Sequence, residues 1–240
     1  SVAFIKSPDE VALMWPASGL ALGFMIRYGL AWCIPLAISV LLMHIFIDPL
    51  PVVFVAFSVL SNVIGAATAF YFIRFRHPTN LLSMQAGLNL VVAALLMSVI
   101  SGIIGITGMR LAGMLNTDAM WPGLLQWVLA NLSGIICTGP ATLLLTSSPS
   151  GDPDTPQSTE YSGLRSRIYW SLLFIFSLIL IFNGGHSTSP YVLGLAMLPM
   201  ALVLWSAIRF PPVWTATANA VAVLSITSMI GLGLGGFKVP

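Results

Sequence analysis

Leu81–Ile106 reads LLSMQAGLNLVVAALLMSVISGIIGI, an unbroken apolar run without a formal charge. A helix needs about 20 mostly apolar residues to cross a hydrocarbon layer about 30 Å thick. This run supplies them. Its apolar residues are continuous and do not alternate, which argues against the strand of a membrane β-barrel. Seven more segments read the same way: Val11–Tyr28, Ala31–Ile47, Leu50–Ile73, Trp121–Thr146, Arg167–Asn183, Tyr191–Arg209 and Val213–Gly235. Gly, Pro, Asn and charged residues punctuate them, as at Asp48-Pro49 and Arg76-His77-Pro78. The expected fold class is all-α, a polytopic transmembrane helical bundle with about eight crossings.

Composition points to the same class. Hydrophobic residues make up 58% of the 240 and charged residues 7%, with a mean hydropathy of +0.97. A soluble domain carries about 25% charge, so the lipid bilayer must cover most of this surface. The net charge of +2 is small and its basic residues are scattered without forming a stripe, so no nucleic-acid partner is expected. Cys33 and Cys137 lie inside apolar runs and read as small buried thiols. Neither a cleavable signal peptide nor an initiating methionine precedes Ser1, so the chain is expected to be part of something longer.

Three runs end in one short signature: Ile26-Arg27-Tyr28, Ile73-Arg74-Phe75 and Ile208-Arg209-Phe210. Arginine is costly in hydrocarbon, and its excess in short loops marks the cytoplasmic face. An aromatic ring prefers the headgroup level. Arg27, Arg74, Arg76 and Arg209, with Arg165 and Arg167, all fall in alternate gaps between runs. Those gaps are assigned to the cytoplasm, and these arginines read as topology anchors. Lys6, Arg110 and Lys238 fall on the other side, and both chain ends are expected to face outside. Trp32 and Trp214 follow their signatures at identical spacing, which fits a duplicated helical hairpin or simply interfacial anchoring. One polar connection, 147–166, contains Pro149, Gly151, Asp152, Pro153, Asp154 and Pro156. It is expected to be a mobile cytoplasmic loop within one membrane domain spanning 1–240.

No hydrolytic or phosphoryl-transfer constellation stands out. The chain lacks GxxxxGK[ST], HExxH and CxxC, and no carboxylate lies in the central part of a crossing. That pattern disfavours ion-driven transport and embedded acid–base catalysis, and no catalytic residue is assigned. His44 falls near the outer end of the second segment, and His186 in the outer gap after the sixth. Together they are weak candidates for a metal or haem iron, or else make interfacial hydrogen bonds or sense pH. No cofactor is otherwise expected.

Several amides lie inside crossings: Asn62, Gln85, Asn89, Gln126, Asn131 and Asn219. An amide facing lipid lacks hydrogen-bond partners, so each should turn toward another helix. They serve either as interhelical ties or as the lining of a polar pocket for a small ligand. Met14-Trp15-Pro16-Ala17-Ser18-Gly19-Leu20 is the most distinctive local stretch. Proline suits a first helical turn, Trp15 suits the outer interface, and Ser18 and Gly19 permit close backbone approach. Candidate ligand-binding residues are therefore Trp15, Ser18, Gly19, Asn62, Gln85, Asn89, Asn131 and Asn219.

Three stretches in order resemble one known family. Trp15-Pro16-Ala17-Ser18-Gly19-Leu20-Ala21-Leu22 resembles its Trp-Pro-Pro-x-Gly opening, with Ala17 replacing the second proline. Trp127-Val128-Leu129-Ala130-Asn131-Leu132-Ser133-Gly134 with Pro140 resembles its Trp…Gly…Pro helix. Leu198-Pro199 through Leu204-Trp205-Ser206-Ala207-Ile208-Arg209-Phe210 resembles its late Pro…Trp-x-Ala-x-Arg-aromatic segment. The sequence thus resembles the membrane-associated sensor domain of the first type, the MASE-one family.

The resemblance implies a sensory membrane domain in the bacterial inner membrane, coupled to a cytoplasmic output domain. In that family the output is commonly a GGDEF diguanylate cyclase, sometimes with an EAL phosphodiesterase, or a histidine kinase. That would place the chain in cyclic di-GMP or two-component signalling, with a homodimer as one route for the signal. No such catalytic signature occurs between Ser1 and Pro240, so the chain itself is not expected to be an enzyme. A cytoplasmic output also requires a further crossing after Pro240. A small-solute binding or transport protein is the alternative.

Overall fold

The computed structural model describes residues 14–47, 49–76, 83–147, 163–184 and 191–232. Within them the regular structure is helical: α1 (Pro16–Tyr28), α2 (Cys33–Phe46), α3 (Val52–Arg76), α4 (Met84–Leu111), α5 (Met120–Thr146), α6 (Leu164–Gly184), α7 (Tyr191–Arg209) and α8 (Pro212–Gly231). Short 3-10 turns at Leu30–Trp32 and Thr117–Ala119 lead into α2 and α5.

The helices correspond to the expected segments, but they are not equal in reach. Among the described residues, five are long and apolar enough to cross a membrane: Val52–Arg76, Met84–Leu111, Thr117–Thr146, Leu164–Asn183 and Pro212–Gly231. Leu30–Phe46 and Met197–Arg209 are shorter apolar helices. α1 has 13 residues and its neighbour α2 has 14, so each measures about 20 Å at about 1.5 Å per residue. That is well short of a hydrocarbon layer about 30 Å thick. Local chemistry sets the length of α1. Pro16 opens the helix with Trp15 non-helical before it, and Gly29 at φ +98° ends it. Apolarity continues through Met14 and Trp15, so hydropathy alone places the start too early.

The chain divides into two compact units, with the break between Leu143 and Leu144. It falls beside the polar connection, most of which (148–162) lies outside the described residues.

In the first unit, small residues set the packing. Helices in lipid gain little from hiding apolar surface, so close contact and polar ties hold them together. Gly65 of α3 faces the Met97 carbonyl and Ser101 of α4, where a built Cβ would lie 3.0 and 3.2 Å away. Phe57 lies across Gly108, while the indole of Trp127 covers Gly105. These pairs run α3 and α5 antiparallel to α4. Leu22, Met25, Ala66, Ala69, Ala93, Ala94, Met97 and Ile135 fill the core between them.

The second unit packs α6, α7 and α8 around Trp170, Phe174 and Phe210. Here the signature aromatic departs from expectation. Tyr28 and Phe75 are exposed at 53% and 80%, but Phe210 is buried at 5%. Phe210 is a core residue, because α6 supplies Trp170 as a partner for its ring at 5.6 Å. The matching Trp spacing nonetheless has a physical basis. Trp32 N–H donates to the Gly29 carbonyl at 3.2 Å, and Trp214 N–H to the Pro211 carbonyl at 2.9 Å. Each indole then meets the preceding aromatic, at 5.5 Å from Tyr28 and 5.8 Å from Phe210. Both helix-to-helix corners have one construction.

Gly108→Ala should lower thermal stability in detergent by about 1–3 kcal/mol, because its Cβ would lie 2.2 Å from that of Phe57. Gly87→Ala, with nothing within 4 Å, should be neutral or stabilise by up to about 1 kcal/mol. Equal unfolding temperatures for the two variants would refute this register of α3 on α4.

Candidate functional site

The Trp15–Gly19 stretch docks onto α5, and the contact begins with backbone. Trp15 N–H donates to the Ala130 carbonyl at 3.0 Å. The Trp15 carbonyl lies across Gly134, where a Cβ would come within 2.0 Å of its oxygen. Only a residue without a side chain fits there. One turn on, Gly19 meets Thr138 and the Gly134 carbonyl, and Gly23 meets Thr142. The two helices therefore run parallel, each offering small residues at a spacing of four.

Polar side chains close the contact. The Ser18 hydroxyl donates to Asn131 Oδ1, and Asn131 Nδ2 donates to the Trp127 carbonyl at 3.0 Å. The Thr138 hydroxyl reaches both the Pro16 carbonyl at 3.0 Å and the Gly134 carbonyl at 2.8 Å. Ser18, Asn131 and Thr138 are all buried. Pro140 lies just beyond, inside α5, and takes away the N–H that the Ile136 carbonyl would otherwise accept.

The contact lies well along α5. Trp15 meets α5 at Ala130 and Gly134, near the midpoint of the Thr117–Thr146 span. Ala130 lies about 15 Å along the helix from Met120. A chain that turns helical at that depth must satisfy its leading backbone groups within the protein. Trp15 N–H and Ser18 N–H do so, through Ala130 and through the Trp15 carbonyl at 3.2 Å.

The other candidates fall elsewhere. Asn62 Nδ2 donates to the Ser58 carbonyl at 2.8 Å, and Ser58 Oγ pairs with His44 Nε2 at 2.9 Å. His44 is buried at 5% exposure with Phe54 edge-on at 5.7 Å. Among the described residues its Nδ1 has no partner. His186 lies outside the described residues, and these hold no group of three metal-ligating side chains. Gln85 is exposed and donates to the buried Asn89 at 3.3 Å. By the register at Gly65, Asn89 and Asn62 are about 20 Å apart along the bundle. Asn219 is half-buried on α8 in the second unit. The amides thus occupy separate places. Arg27, Arg74, Arg76 and Arg209 are all exposed, at the ends of α1, α3 and α7. Arg27 lies over Tyr28 and Arg76 over Phe72.

A family model, MASE1, matches residues 1–235. The chain belongs to the MASE1 family. No curated protein and no solved structure matches it. MASE1 is a family of membrane sensory domains, and in this member two of the stretches carrying the resemblance touch. Trp15–Gly19 and Trp127–Gly134 are the two faces of one contact. Gly134 and Thr138 are the residues that sequence reasoning missed there. The signal was present, in Gly19 and Gly23 against Gly134, Thr138 and Thr142, each series at helical intervals of four.

Glycine substitutions test the backbone contact in this MASE1 domain, and a double-mutant cycle tests the side-chain tie. Gly134→Ala should destabilise by about 3 kcal/mol or abolish folding. Gly139→Ala, whose Cβ would meet nothing closer than 3.7 Å, should stay near wild type in thermal unfolding. A double-mutant cycle on Ser18→Ala and Asn131→Ala should give a coupling of about 0.6–1.7 kcal/mol, the range for polar ties between membrane helices. Strict additivity would show that the two side chains do not pair in solution.

Proposed function

We propose that this MASE1 domain is the receiving half of a bacterial inner-membrane signalling protein, and that the α1–α5 contact is where the signal is read. A cue from outside or from the bilayer shifts α1 against α5. The shift passes through the bundle to a cytoplasmic output, a diguanylate cyclase or a histidine kinase, acting within a homodimer. The observation that carries this reading is the buried helix start at mid-span, held to α5 by polar ties that can be exchanged.

The energetics suit a switch. A ligand biases two states only through its different affinity for each, and allosteric couplings are typically about 1–3 kcal/mol. One or two membrane hydrogen bonds of about 0.6–1.7 kcal/mol each supply that range. Making or breaking the Ser18–Asn131 and Thr138–Pro16 ties is therefore enough to move the equilibrium severalfold. A rigid apolar seam would offer no comparable element. Lipid is the standing partner on the outer face, and a small ligand at Trp15, Ser18, Gly19 and Asn131 is the expected effector. The anchors Arg27, Arg74, Arg76 and Arg209 fix orientation, with their helix ends in the cytoplasm.

Output from the intact protein tests this directly. Ser18→Ala, Asn131→Ala and Thr138→Val should each shift cyclase or kinase output at least about threefold, with normal membrane levels. Asn219→Ala should shift it less. Wild-type output from all three contact variants would end the proposal. Orientation has its own check: a reporter active only outside the cytoplasm should be silent when fused after Arg76 and active after Leu111. The opposite pattern would invert the assignment.

A further inference from the structure

The second unit ends in an aromatic cluster with two donors left over. Trp170 stacks on Phe174 at 5.0 Å and meets Phe210 and Trp214 edge-on at 5.6 and 6.3 Å. Its indole N–H is satisfied by the Leu202 carbonyl at 2.9 Å. Its neighbours are not so served. Among the described residues, neither Trp214 Nε1 nor Arg167 Nε finds an acceptor, although both atoms are buried. They belong together, because the Arg167 guanidinium carbon stands 6.0 Å from the centre of the Trp214 ring. A buried donor without an acceptor is expensive, more so when charged, and native proteins leave few of them. Two at one place point to a missing group rich in acceptor oxygens.

The surroundings give its charge. The starts of α6 and α8 and the end of α7 meet here, with the cation of Arg167 among them. The described residues of this unit include no Asp or Glu. The starts of α6 and α8 add the positive ends of two helix dipoles. The acceptor is therefore an anion. Depth gives its source. α6 and α8 are both spans by length and composition, so their starts lie at a membrane edge, where phospholipid phosphates are concentrated. Arginine presents parallel N–H donors that match phosphate oxygens, and the indole N–H adds one from the side.

We propose that Arg167 and Trp214 form a binding site for the phosphate of an anionic phospholipid. The headgroup docks as the arginine swings off the Trp214 ring, exchanging that contact for hydrogen bonds to phosphate oxygens. Phe210 and Trp170 keep the indole in place, so its N–H stays directed at the same point.

Native mass spectrometry of the intact protein, titrated with phosphatidylglycerol, diacylglycerol or inorganic phosphate, tests the site. Wild type should bind phosphatidylglycerol about tenfold more tightly than diacylglycerol, which lacks the phosphate, a factor expected for one charge-assisted hydrogen bond. Arg167→Gln and Trp214→Phe should each remove most of that preference. Trp214→Phe preserves a ring and changes no charge, and an unchanged unfolding temperature in lipid-free detergent would show that it still folds. The exposed Arg165, changed to Gln, should retain the preference. Wild-type selectivity in Trp214→Phe, or an equal loss in Arg165→Gln, would overturn the site in favour of diffuse charge. Displacement of the lipid by millimolar inorganic phosphate would overturn the lipid as its source.

Discussion

A polar backbone group inside hydrocarbon has no water to turn to, and a helix that begins there must find partners within the protein. That constraint organises the first unit. Trp15 is the last non-helical residue before α1, and its N–H and carbonyl both meet α5. The side chain missing at Gly134 makes the approach possible, and Ser18, Asn131 and Thr138 complete the accounting. The rest of the unit holds α5 where α1 needs it. Trp127 is seated on Gly105 and donates from Nε1 to Ser101 at 3.2 Å, which locks α5 to α4. Gly65 and Gly108 in turn lock α4 to α3.

The second unit solves the same packing problem with different material. It relies less on glycine and more on stacked rings, with Trp170 central. The shared corner at Gly29 and Pro211 shows how unlike sequences reach one geometry. Glycine does so through a positive φ. Proline does so in tandem: Pro211 caps α8 with its φ fixed at −56°, and Pro212 begins the first turn, where an N–H would go unpaired. In both cases a tryptophan closes the corner by covering the preceding ring.

Hydropathy made the helices legible, since continuous apolar runs admit no other membrane structure. The reach of α1 and α2 was less legible, because apolar residues such as Met14 and Trp15 look alike in a helix and in an extended lead-in. Burial of Phe210 was hidden for a related reason: its partner Trp170 lies distant in sequence, and the local signature matches that of exposed Phe75. At the candidate site, Trp15, Ser18, Gly19 and Asn131 could each be nominated from type and place. That they meet one another, while Asn62 turns to Ser58 and Asn89 to Gln85, depends on helix register. No count of apolar residues encodes register. The spacing of small residues does, and Gly19 with Gly23 carried that information.

The separation of Ser18 from Asn131 by 113 positions has a consequence for how the protein is made. Ribosomes add about 5–20 residues per second, so α1 emerges on the order of ten seconds before its partner helix is complete. Through that interval Trp15 has no Ala130 carbonyl to receive its N–H. A segment with unmet backbone groups does not rest in hydrocarbon, so α1 must wait at the headgroup layer or beside the insertion machinery. The short helix that opens the described chain is thus seated only once α5 has been made, and α5 is the mould against which it sets.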